Sequence, residues 1–110
     1  MSMLHIVLVD IDPAVEEEFN TWYDCVHIPQ IFTCPGWLSA TRKICLEGGP
    51  KYAAIYEISG PEAYDITEFK AISGFGRFET YVVNFHRIRL ESLLQAATSY
   101  VGPLNELTAT

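Results

Sequence analysis

The sequence predicts an α+β domain: a four-stranded antiparallel sheet with two helices on one face, in the chain order β-α-β-β-α-β. Three observations carry this. Short runs rich in β-branched and aromatic residues recur four times, at residues 4–9, 37–46, 51–58 and 81–90. Two intervening stretches carry helix-start residues followed by apolar residues at helical spacing. The second and third runs are joined by "EGGP", a two-glycine turn that makes them a hairpin. At 110 residues, the whole chain reads as one domain with a small core.

The first strand, residues 4–9, is a short apolar run bounded by acids. "DIDPAVEEEF" then starts a helix. Asp12 can cap, Pro13 suits the first helical position, and Glu16, Glu17 and Glu18 lie near the positive end of the helix dipole. Val15, Phe19, Trp22, Tyr23 and Val26 follow at helical spacing. Pro29 should kink or interrupt this helix, and Pro35-Gly36 ends the segment. In the second strand Leu38, Ala40, Ile44 and Leu46 alternate with Ser39, Thr41 and Lys43. "KYAAIYEI" is the third strand. "SGPEAYDITEFKAI" starts the second helix, with Ser59 or Gly60 at its cap and Tyr64, Ile66 and Phe69 as apolar contacts. "SGFGRF" is a glycine-broken loop, and "YVVNFHRIRL" is the fourth strand. "ESLLQAAT" suggests a short terminal helix, and residues 103–110 a frayed tail.

This order is the split βαβ, or ferredoxin-like, arrangement. It places the first and third strands centrally, with the fourth beside the first. Both faces of the strands are bulky: Leu4, Ile6 and Leu8 oppose Val7 and Val9, while Tyr52 and Tyr56 oppose Ala53 and Ile55. A sheet apolar on both sides, with helices for only one, predicts a homodimer packed sheet against sheet.

The net charge of −7 argues against nucleic acid, whose phosphates call for a basic footprint. No apolar run approaches the roughly 20 residues that span a bilayer. The N-terminus lacks the basic region of a signal peptide. Cys25, Cys34 and Cys45 form no CxxC pair and read as free thiols, which points to a reducing, cytoplasmic setting.

"EEEFNTWYDCVHIPQIFTCPGWLSATRK" resembles the first half of dimeric α+β barrel proteins of the EthD-like group. There a helix of the form F-x-x-W-Y-x-x-x-H-[IL]-P is followed by P-G and a strand with one or two basic residues. "KYAAIYEI" resembles that group's third strand and "EAYDITEFKAI" its second helix, so the likeness covers roughly residues 4–92. The resemblance implies a homodimer whose sheets form a barrel, with a small-molecule pocket between sheet and helices in each subunit. Related barrels include polyketide cyclases and dehydratases, muconolactone isomerases, cofactor-free monooxygenases and haem-handling enzymes. Val26 departs from the pattern, standing where an acidic residue often precedes the histidine.

Histidine can give and take protons near neutral pH. His5 lies on the first strand, His27 on the first helix and His86 on the fourth strand, and the topology allows all three around one pocket. Tyr23 and His27 are four apart and share a helix face. A tyrosine hydroxyl beside an imidazole can polarise a carbonyl and move a proton, as enolisation, dehydration or aldol cyclisation requires. Trp22 forms the adjoining stripe, as a ligand contact or a core aromatic. Arg42, among apolar strand neighbours, requires an anion: a substrate carboxylate or phenolate, or a glutamate of the chain. Tyr52, Tyr56 and Tyr81 either line a pocket or are plain strand aromatics.

The expected catalytic residues are thus His27, Tyr23 and His86. The expected ligand contacts are His5, Trp22, Arg42 and Tyr81. The histidines lack HxH or HExxH spacing, so no metal is expected, and nothing requires a cofactor. The function these residues favour is binding of a small aromatic or polyketide-like carbonyl compound, with a cyclase, dehydratase or isomerase step. The alternatives are a binding module without catalysis, and a cofactor-free or haem-dependent monooxygenase.

Overall fold

The computed structural model describes residues 2–93. The terminal helix and tail expected beyond them lie outside the described residues. Four strands form one antiparallel sheet: β1 Met3–Ile11, β2 Trp37–Ile44, β3 Tyr52–Ile58 and β4 Val82–Glu91. Their order is β2-β3-β1-β4, so the ferredoxin-like α+β topology is the one observed.

Alternation along β1 decides the layers. His5, Val7, Val9 and Ile11 are buried under the helices, and Leu4, Ile6 and Leu8 face the other way. On β3, Tyr52, Ala54, Tyr56 and Ile58 take the helix side. The core between sheet and helices is dense with aromatics, and Phe19, Phe78 and Tyr56 are among its most deeply buried side chains.

The first helical segment has three geometries. Asp12 accepts a hydrogen bond from the Ala14 N–H at 2.9 Å and opens a 3₁₀ turn, Pro13–Val15. An α-helix, α1, runs Glu16–Trp22; a π turn follows at Tyr23–His27; a further α-helical turn, α2, covers Ile28–Ile31. In the π turn the Ile28 N–H donates to the Tyr23 carbonyl, five residues back. Pro29 explains its place. Proline has no N–H, and in a regular helix its ring would strike the carbonyl four residues back, that of Cys25. The wider turn accommodates it, so Pro29 distorts the helix without ending it.

The second helical segment is also divided. A 3₁₀ segment, Pro61–Asp65, precedes helix α3, Thr67–Ile72, with Ile66 extended between them. A further 3₁₀ segment, Gly76–Tyr81, leads into β4. Gly76 has φ of +53°, and a Cβ there would stand 3.3 Å from the Trp22 ring, so glycine serves both the turn and that close approach.

β4 carries one irregularity. The β1–β4 register shifts between Leu8 and Asp10, opposite Asn84, which sits at φ of +55°. Asparagine tolerates this conformation better than most residues. Its side chain donates to the Asp10 carboxylate at 2.9 Å. The bulge leaves Val83, His86, Ile88 and Leu90 on the face away from the helices and turns Phe85 inward, against Phe75.

Candidate functional site

A cavity of about 350 Å³ opens between the sheet and the helical layer. β1 contributes His5 and Val7, the π turn Tyr23 and His27, and β2 and β3 Trp37 and Tyr56. Tyr64 and Phe69 close one side, and Phe75, Phe85 and Arg87 another.

His27 is 4% exposed and stacks on Trp22, with ring centroids 4.7 Å apart and planes 17° from parallel. Its other ring neighbour is Tyr23, edge-on at 5.0 Å. His27 Nδ1 is sealed from solvent and has no hydrogen-bond partner among the described residues. The ring can therefore exchange hydrogen bonds with a ligand only through its Nε2 edge. Burial holds the imidazole pKa at about 4 instead of 6.5, so the ring is neutral at physiological pH.

Tyr23 and Tyr56 meet at their hydroxyls, 2.9 Å apart. In such a pair one O–H donates to the other, and the second keeps its proton for another acceptor. Burial pushes the pKa of both upward, so both remain protonated donors. The π turn thus brings Tyr23 and His27 to one cavity wall, with Tyr56 facing them from β3.

His5 is 6% exposed and shares a 2.9 Å hydrogen bond with the Tyr64 hydroxyl through Nδ1. Burial first, then the charges of Arg87 and Arg89, hold its pKa at about 4. Arg89 lies over the Tyr64 ring, 4.1 Å from its centroid. Trp37 donates from Nε1 to the Ala63 carbonyl at 3.2 Å and stacks on Phe69 at 4.3 Å, which fixes the cavity floor.

Of the sequence candidates, His5, Tyr23 and His27 line one cavity, and four others stand elsewhere. His86 does not join the other histidines. His5 pairs with Arg89 across the β1–β4 ladder, and His86 is three residues from Arg89, which turns it to the opposite face. Arg42 does not reach the cavity. It donates to Asp24 at 3.1 Å and Asn20 at 2.8 Å and lies over the Tyr23 ring at 4.5 Å. Its anion is therefore an aspartate of the helical layer, neither a ligand nor a glutamate. Tyr81 is 40% exposed at the end of the 3₁₀ segment before β4, outside the lining. Trp22 backs His27 from behind and borders an outer groove with Cys25 and Arg77. Tyr64 and Arg87 were not among the sequence candidates. Arg87 could be found only with the β1–β4 register, which pairs it with the inward Val7 and turns His86 outward.

A ferredoxin-like α+β domain with an aromatic cavity beneath its helices defines the class. The sequence matches no family model, and no curated protein matches it. Solved structures with the same fold do match. An EthD family protein from Bacillus halodurans has 14% identity and a TM-score of 0.63, over 84% of this chain and 100% of that one. A protein from Bacteroides thetaiotaomicron, named as an antibiotic biosynthesis monooxygenase, has 17% identity and a TM-score of 0.64, over 90% and 96%. The haem degrader MhuD from Mycobacterium tuberculosis, with two haems in its active site, has 15% identity and a TM-score of 0.60, over 86% and 99%. The fold expected from the W-Y…H-I-P segment, a ferredoxin-like α+β domain, is thus the fold observed and is shared with these structures. Among the described residues no helix is long and apolar enough to cross a membrane.

Proposed function

We propose that the cavity binds a small aromatic or polyketide-like carbonyl compound and catalyses a proton-transfer step on it, of the cyclase, dehydratase or isomerase kind. One observation carries this: a neutral buried imidazole and a tyrosine hydroxyl pair converge on the same aromatic-lined space. The ligand oxygen would take the spare O–H of the Tyr23–Tyr56 pair, which stabilises an enolate as charge develops. His27 would take the carbon-bound proton at Nε2 as the enolate forms and return it as the enolate collapses. The imidazolium between these two steps is desolvated and beside no carboxylate, which makes it short-lived. His5 and Tyr64 orient the far end of the ligand.

A volume of about 350 Å³ is near the lower end for ligand sites and suits a one- or two-ring compound. The haem-dependent alternative draws on MhuD, and His27 Nε2 is the group that would face an iron. The small cavity fits a four-ring macrocycle poorly, so the residues present do not fit haem. The chain would act as a homodimer through the bare sheet face, where Leu4, Ile88 and Leu90 are 38%, 39% and 47% exposed.

The test is a panel of phenolic and β-keto carbonyl compounds, scored for binding by calorimetry and for conversion by mass spectrometry. Conversion lost in His27→Gln, with binding retained, is the expected result. Turnover unchanged in that variant removes His27 from the mechanism. Binding without conversion of any compound makes the chain a carrier or sensor.

A further inference from the structure

We propose that the β4 end of the cavity is an anion subsite, and that the ligand is an aromatic carboxylate or a similarly placed phenolate or enolate held by Arg87, with Arg89 beside it. This rests on the cavity being a ligand site, as proposed above, and adds the charge of the ligand.

The chain has four arginines. Arg42 pairs with Asp24, and Arg77 with Glu18. Arg87 and Arg89 have no carboxylate partner among the described residues, and the register sets them side by side on the helix-facing side of β4, opposite Val7 and His5. Arg87 lines the cavity directly. Glu79, the carboxylate on the lining, accepts the Phe75 N–H at 2.9 Å.

The surroundings favour an anion over a cation. His5 is buried and already engaged with Tyr64, and it stays neutral beside two guanidinium groups. It adds hydrogen-bonding capacity without further positive charge. A guanidinium presents paired N–H donors that match both oxygens of a carboxylate. The wall next to it is aromatic, with Phe85, Phe75 and Trp37, which suits a flat ring carrying that carboxylate. A chain of net charge −7 repels anions at long range, so capturing one requires local cations such as these two.

The test compares 2-naphthoate with 2-naphthamide, which share shape and differ in charge, by calorimetry on the unmodified protein at low salt and at 0.5 M salt. The acid is expected to bind about ten- to a hundredfold more tightly at low salt. Added salt should shrink that ratio by weakening the acid alone. Arg87→Gln should abolish the preference while leaving the amide unchanged, and Arg87→Lys should keep part of it. Equal affinities for acid and amide overturn the anion subsite and leave the cavity reading standing. If neither compound binds, the ligand cavity itself is refuted, and the subsite with it.

Discussion

Replacing His27 with phenylalanine should make the protein more stable. His27 carries a buried nitrogen without a partner, and such a group costs about 1–3 kcal/mol. Phenylalanine keeps the stack on Trp22 and the edge contact with Tyr23. Its extra ring atom extends toward the cavity, where there is room. The gain should depend on pH. His27 has a folded pKa of about 4, below its ordinary 6.5, so the unfolded chain binds the proton first. Wild-type stability is therefore full above pH 6.5 and falls as the pH drops from there toward 4. At pH 5 this adds about 2 kcal/mol to the variant's advantage. Urea denaturation of both proteins at pH 7.5 and pH 5 measures it, and the contribution from His5 cancels between them. In melting temperature the pH 7.5 gain corresponds to about 4–8 °C per kcal/mol. Equal stability at both pH values, or a variant less stable at pH 5, would refute the account of His27 as a group kept at a cost to the fold.

Tyr23→Phe leaves the Tyr56 hydroxyl without its buried partner, and should lower unfolding free energy by about 1–2 kcal/mol in urea titrations while weakening carbonyl-ligand binding. Arg42→Gln should leave ligand affinity by calorimetry unchanged, because its partners are Asp24 and Asn20, outside the cavity. Ile88→Asp puts a charge on the open sheet face and should turn a homodimer into monomer in sedimentation velocity, whereas His27→Phe should not. A chain that is already monomeric before substitution would contradict the dimer.

The fold was legible because its signals are local and repeated. Four period-two runs, a two-glycine hairpin and two capped helical segments leave few topologies open. Tyr23 and His27 were legible as a pair because spacing of four places residues on one helix face whether the turn is α or π. The rest depended on register. Which face His86 takes is set by its pairing three residues from Arg89, a fact of β1–β4 alignment that no single strand declares. Arg42 was placed on the correct face, but its anion comes from a helix eighteen residues earlier in the chain, beyond any local pattern. Tyr64 read as a helix contact; the extended Ile66 instead breaks that segment, and the Tyr64 ring turns toward His5.

The π turn at Tyr23–His27 lets the helix carry an extra residue without turning the rest of the site. It holds one more residue than the α turn it replaces, yet each closes about one full turn. Deleting Asp24 or Cys25 would therefore restore α geometry and leave everything beyond facing as before. Ile31 would keep its place on the cavity wall, and only the spacing between Tyr23 and His27 would shorten. A relative that differs here by a single-residue gap can therefore keep the same wall with its histidine three residues after the tyrosine.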